Sequence, residues 1–162
     1  MNLTVERLRE VLRYEPGTGK FIRLVSNSNR ARAGSITGSP AVDGSIVVHI
    51  DGKLYRAHRL AWLYVHGRWP VAEIDHVNGD PADNRVANLR ESTRTENMRN
   101  VRMHRDCGSG LKGAYRDKKK WKSSIMVDGV HRYLGAFDPP EDAHAAYCRA
   151  ATTLHGEFAR FR

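Results

Sequence analysis

Cysteine and long apolar runs are both scarce in this sequence. Its 162 residues include only two cysteines, Cys107 and Cys148, and no Cys-x-x-Cys pair. This spacing excludes a disulfide framework and a four-cysteine zinc site. No apolar run approaches the roughly 18 residues of a membrane span, and the N-terminal MNLTVERLREVLRYEP is charged throughout. The sequence therefore predicts a soluble protein of the reducing cytoplasm with no membrane partner.

Acidic residues are fewer than basic ones. The chain has 18 Asp and Glu against 27 Lys and Arg, a net charge of +9. The excess is greater towards the C-terminus, where residues 99–162 carry 13 basic and 7 acidic side chains. Such a balance attracts a polyanion, so nucleic acid is the leading partner, and the alternative is a basic face that is merely solvated.

Apolar periodicity and turn residues predict the first elements. A helix is expected over residues 3–14, where Pro16 and Gly17 end it. Residues 20–44 are mostly loop in composition. The pair Asp51-Gly52 predicts a hairpin, and the spacing in HRLAWLYVHG predicts a second helix over residues 58–67.

The segment IDHVNGDPADNRVANLRESTRTENMRN, residues 74–100, concentrates polar side chains. We expect a strand that ends in Asp75 and His76, a second strand over residues 88–91 and a helix from Thr93. Asp75 and Asn97 would offer a hard divalent ion two oxygen ligands, and His76 would serve as a general base near neutral pH. The alternative is a loop rich in turn formers, because Asp, Asn and Gly crowd turns as well as active sites.

These residues resemble the HNH nuclease family, in the branch of phage and intron homing endonucleases. The resemblance covers roughly residues 58–100: Asp-His, Asn-Leu twelve residues past the His, and Glu-Asn nine further on. It implies a ββα-metal unit that holds one divalent ion, Mg²⁺ or else Mn²⁺, between Asp75 and Asn97. It also implies that His76 is the general base and that Asn88 holds the His-bearing loop. His58 precedes Arg59-Leu60, where the family also keeps a His, and is interpreted as structural rather than catalytic.

The C-terminal part predicts a small sheet and one helix. Strands are expected at residues 114–116 and on both sides of Asp128-Gly129, and a helix within PEDAHAAYCRAATTLHG. In WKSSIMV, Trp121, Ser123, Ile125 and Val127 would face the core. This part resembles the ethylene-response-factor-like DNA-binding domain, which implies a three-stranded antiparallel sheet whose outer face enters the major groove.

Basic and outer-face side chains are the candidate DNA contacts. Ser124 and Met126 stand where that domain carries charged base-reading residues, so phosphate contacts are favoured over base contacts. The alternative for the DKKK run is a solvated turn. The candidates are Arg99, Arg102, Arg116, Lys118, Lys119, Lys120, Lys122, Ser124, Met126, His131 and Tyr133.

The patterns predict an α+β protein. The two resemblances imply an HNH nuclease domain over residues 1–105, its ββα-metal core about 71–105, a linker over 106–111 and a DNA-binding domain over 112–162. The function expected is metal-dependent hydrolysis of DNA phosphodiester bonds by a phage nicking or homing endonuclease in a bacterial host. The partner is double-stranded DNA, with no small-molecule cofactor and a monomeric chain. The alternative is a catalytically inactive DNA-binding regulator.

Overall fold

A computed structural model describes residues 3–29, 31–100 and 108–161. The chain divides into two compact units, Met1–Thr93 and Arg94–Arg162. Over the described residues, four α-helices accompany eleven short strands in four antiparallel sheets. This confirms the predicted α+β class.

The chain opens with helix α1, Val5–Val11, which Thr4 caps by accepting a hydrogen bond from the Arg7 amide at 3.2 Å. The prediction that this helix extends to residue 14 was wrong. Residues Leu12–Glu15 form strand β1, which pairs with β2, Lys20–Arg23.

Aromatic packing explains why the helix ends early. Tyr14 lies opposite Phe21 in the β1–β2 pair, and their ring centroids are 5.0 Å apart. Both side chains are buried, and an extended backbone brings them onto one face of the hairpin. Tertiary packing therefore overrides the helical spacing of Leu8, Val11 and Leu12.

The segment predicted to be mostly loop contributes strands as well. Strand β3, Ile36–Thr37, extends the β1–β2 sheet. Strand β4, Ser39–Pro40, begins a second sheet with β5, Ile46–Ile50, and β6, Lys53–Arg56.

The hairpin predicted at Asp51-Gly52 is confirmed. It joins β5 to β6, and both turn residues have positive φ, 48° for Asp51 and 75° for Gly52. A two-residue turn with positive φ at both positions matches the twist of the flanking strands.

Helix α2, Ala57–His66, follows β6 directly and confirms the second predicted helix. Gly67 ends it in the left-handed conformation, with φ of 70°. The buried face of α2 packs into the core of the first unit. That core consists of Leu3, Leu8, Val11, Leu12, Tyr14, Phe21, Val48, Ile50, Ala57, Leu60, Ala61, Trp62, Leu63, Ile74 and Leu89.

A two-stranded ribbon completes the first unit. Strand β7, Glu73–His76, pairs antiparallel with β8, Leu89–Ser92, and a 3-10 turn over Val86–Asn88 leads into β8. Helix α3, Arg94–Arg99, comes next in the chain and belongs to the second unit. The predicted succession of strand, loop, strand and helix is confirmed.

The second unit is a three-stranded sheet with a helix on one face. Its strands are β9, Ala114–Asp117, β10, Lys120–Val127, and β11, Val130–Phe137, with β10 in the centre, and helix α4 spans Pro140–His155. Ile125 and Val127 pack with Tyr147 and Ala151 of α4, and Ser123 is fully buried. The predicted alternation along WKSSIMV is confirmed for these core positions.

Two further predictions concern the chain as a whole. The domain bounds 1–105 and 112–162 remain a prediction, and part of the linker, residues 106 and 107, lies outside the described residues. Within the described ranges, every helix is too short or too polar to cross a bilayer.

Candidate functional site

Asp75 and His76 are the last two residues of β7, and both residues are buried, with 4% and 9% of their surface exposed. Across the ribbon, Asp75 lies opposite Arg90 and His76 lies opposite Leu89. Side chains of successive strand residues point to opposite faces, so the carboxylate and the imidazole leave the ribbon on different sides.

Arg90 is a partner of the candidate ligand Asp75 that sequence patterns did not reveal. Its Nε and Nη2 atoms donate to Oδ2 of Asp75 at 2.9 and 2.7 Å. The Arg90 side chain is 14% exposed and that of Asp75 is 5% exposed, so the pair is shielded from water. The signal was present in the strand pairing, because aligning His76 with Leu89 also aligns Asp75 with Arg90.

The environment of His76 lowers the pKa of its imidazole. Burial is the main cause, because it disfavours the charged form, while the Asn84 side chain and the carboxylates of Asp75, Asp80 and Asp83 oppose the shift. His76 is therefore neutral at pH 7, and a neutral imidazole can accept a proton.

Asn88 joins the two ends of the loop between β7 and β8. Its Oδ1 accepts from the Asn78 amide at 2.9 Å, while its Nδ2 donates to Asn78 Oδ1 at 3.0 Å and to the Asp83 carbonyl at 2.9 Å. Its backbone carbonyl also accepts from the Val77 amide at 2.9 Å. One buried amide side chain thus ties the start of the loop, just past His76, to its later part.

Other polar residues of the loop form turns. Asn78 Oδ1 accepts from the Asp80 amide, and Asp80 Oδ1 accepts from the Ala82 amide, at 2.8 and 3.0 Å. Asp83 accepts from the Arg85 side chain, which stabilises the end of the segment. Bonds from Asp and Asn side chains to the backbone two residues on are typical of turns.

The β1–β2 hairpin supports this loop from the first sheet. The Tyr14 hydroxyl donates to the Asn84 carbonyl at 2.8 Å, and burial raises the pKa of Tyr14 to about 12. Gly19, with φ of 71°, approaches so closely that a Cβ atom there would lie 2.5 Å from the backbone of Asn84 and Arg85. Sequence patterns assign no role to residues 15–45. The contact of Gly19 with Asn84 and Arg85 joins segments far apart in the chain, and local patterns do not report such contacts.

His58 lies beside His76. The two imidazole centroids are 5.1 Å apart with an interplanar angle of 87°, an edge-to-face arrangement. The pKa of His58 is lowered to about 4, chiefly by burial and then by the neighbouring His76, Arg56 and Arg59. Sequence patterns favour a structural role for His58 and carry no sign that it lies beside the candidate base.

The oxygen ligands expected for a divalent ion were Asp75 and Asn97. Asp75 is a buried carboxylate on β7, and Asn97 lies on α3 in the second unit. Carboxylate and amide oxygens are the donor types that Mg²⁺ accepts, so this donor set fits a hard ion. Within the described ranges, His, Cys, Asp and Glu nowhere cluster in threes as a zinc site would require.

The second unit exposes one face of its sheet. Cross-strand partners share a face, and three of the pairs on the face away from α4 are Lys122 with Tyr115, Ser124 with Tyr133, and Met126 with His131. Met126 and Tyr133 are 50% and 60% exposed. We call this set of six residues the outer face. Five of them are candidate DNA contacts: Lys122, Ser124, Met126, His131 and Tyr133.

The remaining candidates lie elsewhere. Lys118 and Lys119 form the turn between β9 and β10, where both are exposed. Lys120 pairs with Asp138 at 2.9 Å, and Lys122 with Asp117. Arg116 lies opposite Trp121 on the other side of the sheet, with its guanidinium 5.3 Å from that ring. Arg99 pairs with Asp128 at 2.9 Å, and Arg102 lies outside the described residues.

Comparison with known proteins identifies the class of this site. Residues 55–99, which include α2, the ribbon and α3, match the family model described as HNH endonuclease. Protein 3.8 of Escherichia phage T7 is 32% identical over 113 residues, which cover 68% of this chain and 93% of that protein. Residues 55–99 are therefore an HNH endonuclease domain, and the chain belongs to the same family as this phage protein.

Two further similarities are weaker. An ethylene-responsive transcription factor-like protein of Arabidopsis thaliana is 27% identical over 132 residues, 82% of this chain, and the chain spans 57% of that protein's length. A solved structure titled "DNA binding and cleavage by the HNH homing endonuclease I-HmuI" is 16% identical, with a TM-score of 0.45. The match covers 96% of this chain and 91% of the solved chain.

Proposed function

We propose that this protein is a metal-dependent DNA endonuclease that hydrolyses phosphodiester bonds, with His76 as its general base. The observation that carries the proposal is the position of Asp75 and His76. They are consecutive, both are buried, and they end β7 inside the segment that matches the HNH endonuclease model.

His76 has the protonation state that a base requires. Its lowered pKa keeps the imidazole neutral at pH 7, so it can take a proton from the attacking water. General-base catalysis of this kind contributes about 10²- to 10⁴-fold to a rate. Asn88 serves this step from a distance, because its four hydrogen bonds hold the loop that continues from His76.

Asp75 and Asn97 are the proposed ligands of one divalent ion, Mg²⁺ or Mn²⁺. Asn97 is proposed as a ligand because of its spacing from the Asp-His pair in the sequence. Asp75 is proposed because of the same pattern and because it is buried next to His76 in β7. The bound ion would stabilise negative charge on the scissile phosphate and on the leaving oxygen. With one carboxylate among its protein ligands, the site retains positive charge for that purpose.

We further propose that the second unit binds double-stranded DNA through the outer face and the adjoining Lys118–Lys119 turn. The net charge of residues 99–162 and the similarity to an ethylene-responsive transcription factor-like protein support this role. The outer face carries Ser124 and Met126 and lacks an arginine fork for guanine, which favours backbone contacts over base contacts.

The decisive experiment incubates the purified chain with supercoiled plasmid and Mg²⁺ or Mn²⁺. A monomer with one site cuts one strand at each engagement, so open circles should appear before linear DNA. The His76→Ala variant should bind the plasmid but leave it supercoiled, and His49→Ala, at an exposed position of β5, should nick normally.

Two outcomes separate the alternatives. Unchanged nicking by His76→Ala would refute the assigned base. Tight DNA binding by the wild-type chain without any cleavage, in both metals, would instead identify a catalytically inactive regulator.

A further inference from the structure

His58 and His76 come from different elements and meet at a fixed angle. His58 is the second residue of α2, and His76 ends β7. Their ring centroids are 5.1 Å apart and the rings are inclined by 87°. Perpendicular ring pairs at this separation are attractive, because the edge of one ring carries partial positive charge and the face of the other partial negative charge.

The backbone that carries His58 is well anchored. Its neighbours Ala57, Leu60 and Ala61 are almost fully buried in the core of the first unit. Just before it, Arg56 pairs with Asp43 at 2.9 Å. The first turn of α2 is therefore rigid and holds the His58 side chain in place, whereas His76 is followed directly by a loop.

The groups facing His58 determine its charge. They are His76 on β7, Arg56 at the end of β6, Arg59 on α2 and Asp43 before β5. Burial and the cationic neighbours outweigh the carboxylate, so His58 is uncharged at neutral pH. Its Nδ1 atom is buried without a hydrogen-bond partner, which also disfavours a proton there. An uncharged ring can pack against the base without repelling the proton that the base receives.

We propose that His58 is a positioning residue whose ring holds the His76 imidazole in the orientation needed for proton abstraction. The proposal rests on the proposed function of His76, since a positioning role requires a base to position. It assigns His58 no proton transfer of its own. The ring shape of His58, and not its nitrogen chemistry, is what the site uses.

Two substitutions separate ring shape from nitrogen chemistry. His58→Phe keeps an aromatic edge and face of similar size but has no nitrogen, whereas His58→Ala removes the ring. His49→Ala is the matched control, because His49 is an exposed histidine of the same unit. Urea unfolding of each variant establishes that it is folded, and the Phe variant keeps the test informative if the Ala variant is not.

The first readout is plasmid nicking with kcat and KM measured separately. For His58→Ala we expect kcat to fall about 10- to 100-fold, the range that a small misplacement of a catalytic group produces. KM should stay within a factor of about two, because DNA contacts are unchanged. His58→Phe should recover most of the loss. A wild-type kcat in His58→Ala, or an equal loss in the Phe variant, would overturn the proposal.

The second readout needs neither metal nor DNA. In metal-free protein with labelled histidines, the ring signals of His76, assigned from the His76→Ala variant, should shift in His58→Ala and remain nearly in place in His58→Phe. Unmoved His76 signals in His58→Ala would contradict the packing role. If His76→Ala still nicks DNA, the proposed base is refuted, yet these spectra still decide whether the two rings pack as described.

Discussion

Arg90 donates two hydrogen bonds to a single carboxylate oxygen of Asp75, at 2.9 and 2.7 Å, across the two-stranded ribbon. The two residues form a directly opposed pair in the β7–β8 register. The candidate metal ligand is thus held by a cation that lies outside the Asp-His, Asn-Leu and Glu-Asn pattern.

Replacing Arg90 tests the importance of this pair for stability. Arg90→Met removes the guanidinium that donates to the buried carboxylate, and breaking a buried pair in this way typically destabilises a protein by about 3 to 5 kcal/mol. We expect a decrease of that order in the free energy of unfolding, measured by urea denaturation. The control is Arg13→Met, whose 3.4 Å pair with Glu15 is largely exposed and should contribute at most about 1 kcal/mol. Equal losses in the two variants would contradict the prediction.

Asn88 offers a test of loop rigidity. Asn88→Ala removes the acceptor of the Asn78 amide and the two donations from Nδ2, which should lower stability by about 1 to 3 kcal/mol. Hydrogen exchange of the Asn78 amide should become faster, and plasmid nicking should slow. Asn88→Asp keeps an acceptor for that amide, so its exchange should remain closer to wild type. Unchanged exchange in Asn88→Ala would show that the loop holds without this side chain.

Gly19 and Gly17 form a matched pair in one turn. A Cβ at Gly19 would lie 2.5 Å from the backbone of Asn84 and Arg85, and its φ of 71° is unfavourable for alanine. Gly17 has nothing within 4 Å of such an atom. Gly19→Ala should therefore lower the thermal midpoint and reduce nicking, while Gly17→Ala should do neither. Equal behaviour of the two variants would exclude the close approach.

His58 should make folding stability depend on pH. Its folded pKa of about 4 lies below the ordinary 6.5, so the unfolded chain binds a proton between these values that the folded chain does not. Stability from this group is fully present above pH 6.5 and is lost as the pH falls towards 4. Between pH 7 and 5 the loss should be roughly 1 to 2 kcal/mol larger in wild type than in His58→Phe. Urea denaturation at the two pH values measures this difference, with His49→Phe as control, and parallel curves for wild type and His58→Phe would contradict it.

Salt dependence tests the DNA contacts of the second unit. Each phosphate contact steepens the plot of log affinity against log salt by about 0.9. Because Lys119 is exposed in the turn, the Lys119→Ala variant should have a salt dependence that is shallower by about that amount. Lys120 is already paired with Asp138 at 2.9 Å, so Lys120→Ala should change the slope less. Fluorescence anisotropy with a labelled duplex at several salt concentrations gives the slopes, and the reverse order would exclude the turn as a phosphate contact.

Local patterns predicted the elements that local chemistry determines. Asp51-Gly52 specified its hairpin because both residues adopt positive φ, and Gly67 ended α2 in the left-handed conformation. The alternation along β10 placed Ile125 and Val127 in the core. Each of these features depends on neighbours within a few residues.

Features that depend on distant partners were missed. Leu12–Glu15 is a strand because Tyr14 packs on Phe21 and donates a hydrogen bond to Asn84. The helical spacing of apolar residues indicates neither contact. The same holds for the ring contact between His58 and His76 and for the close approach of Gly19. Arg90 was the exception, because correct strand alignment alone would have found it.

The bond between the Tyr14 hydroxyl and the Asn84 carbonyl has a consequence for how the protein is made. It joins residues 70 positions apart, so it cannot form until most of the first unit has left the ribosome. Contacts of such long sequence separation are late events in folding, because a long stretch of chain must be ordered before they stabilise anything. The loop that follows His76 therefore gains this support only once residue 84 is free to fold, and a shorter nascent chain lacks it.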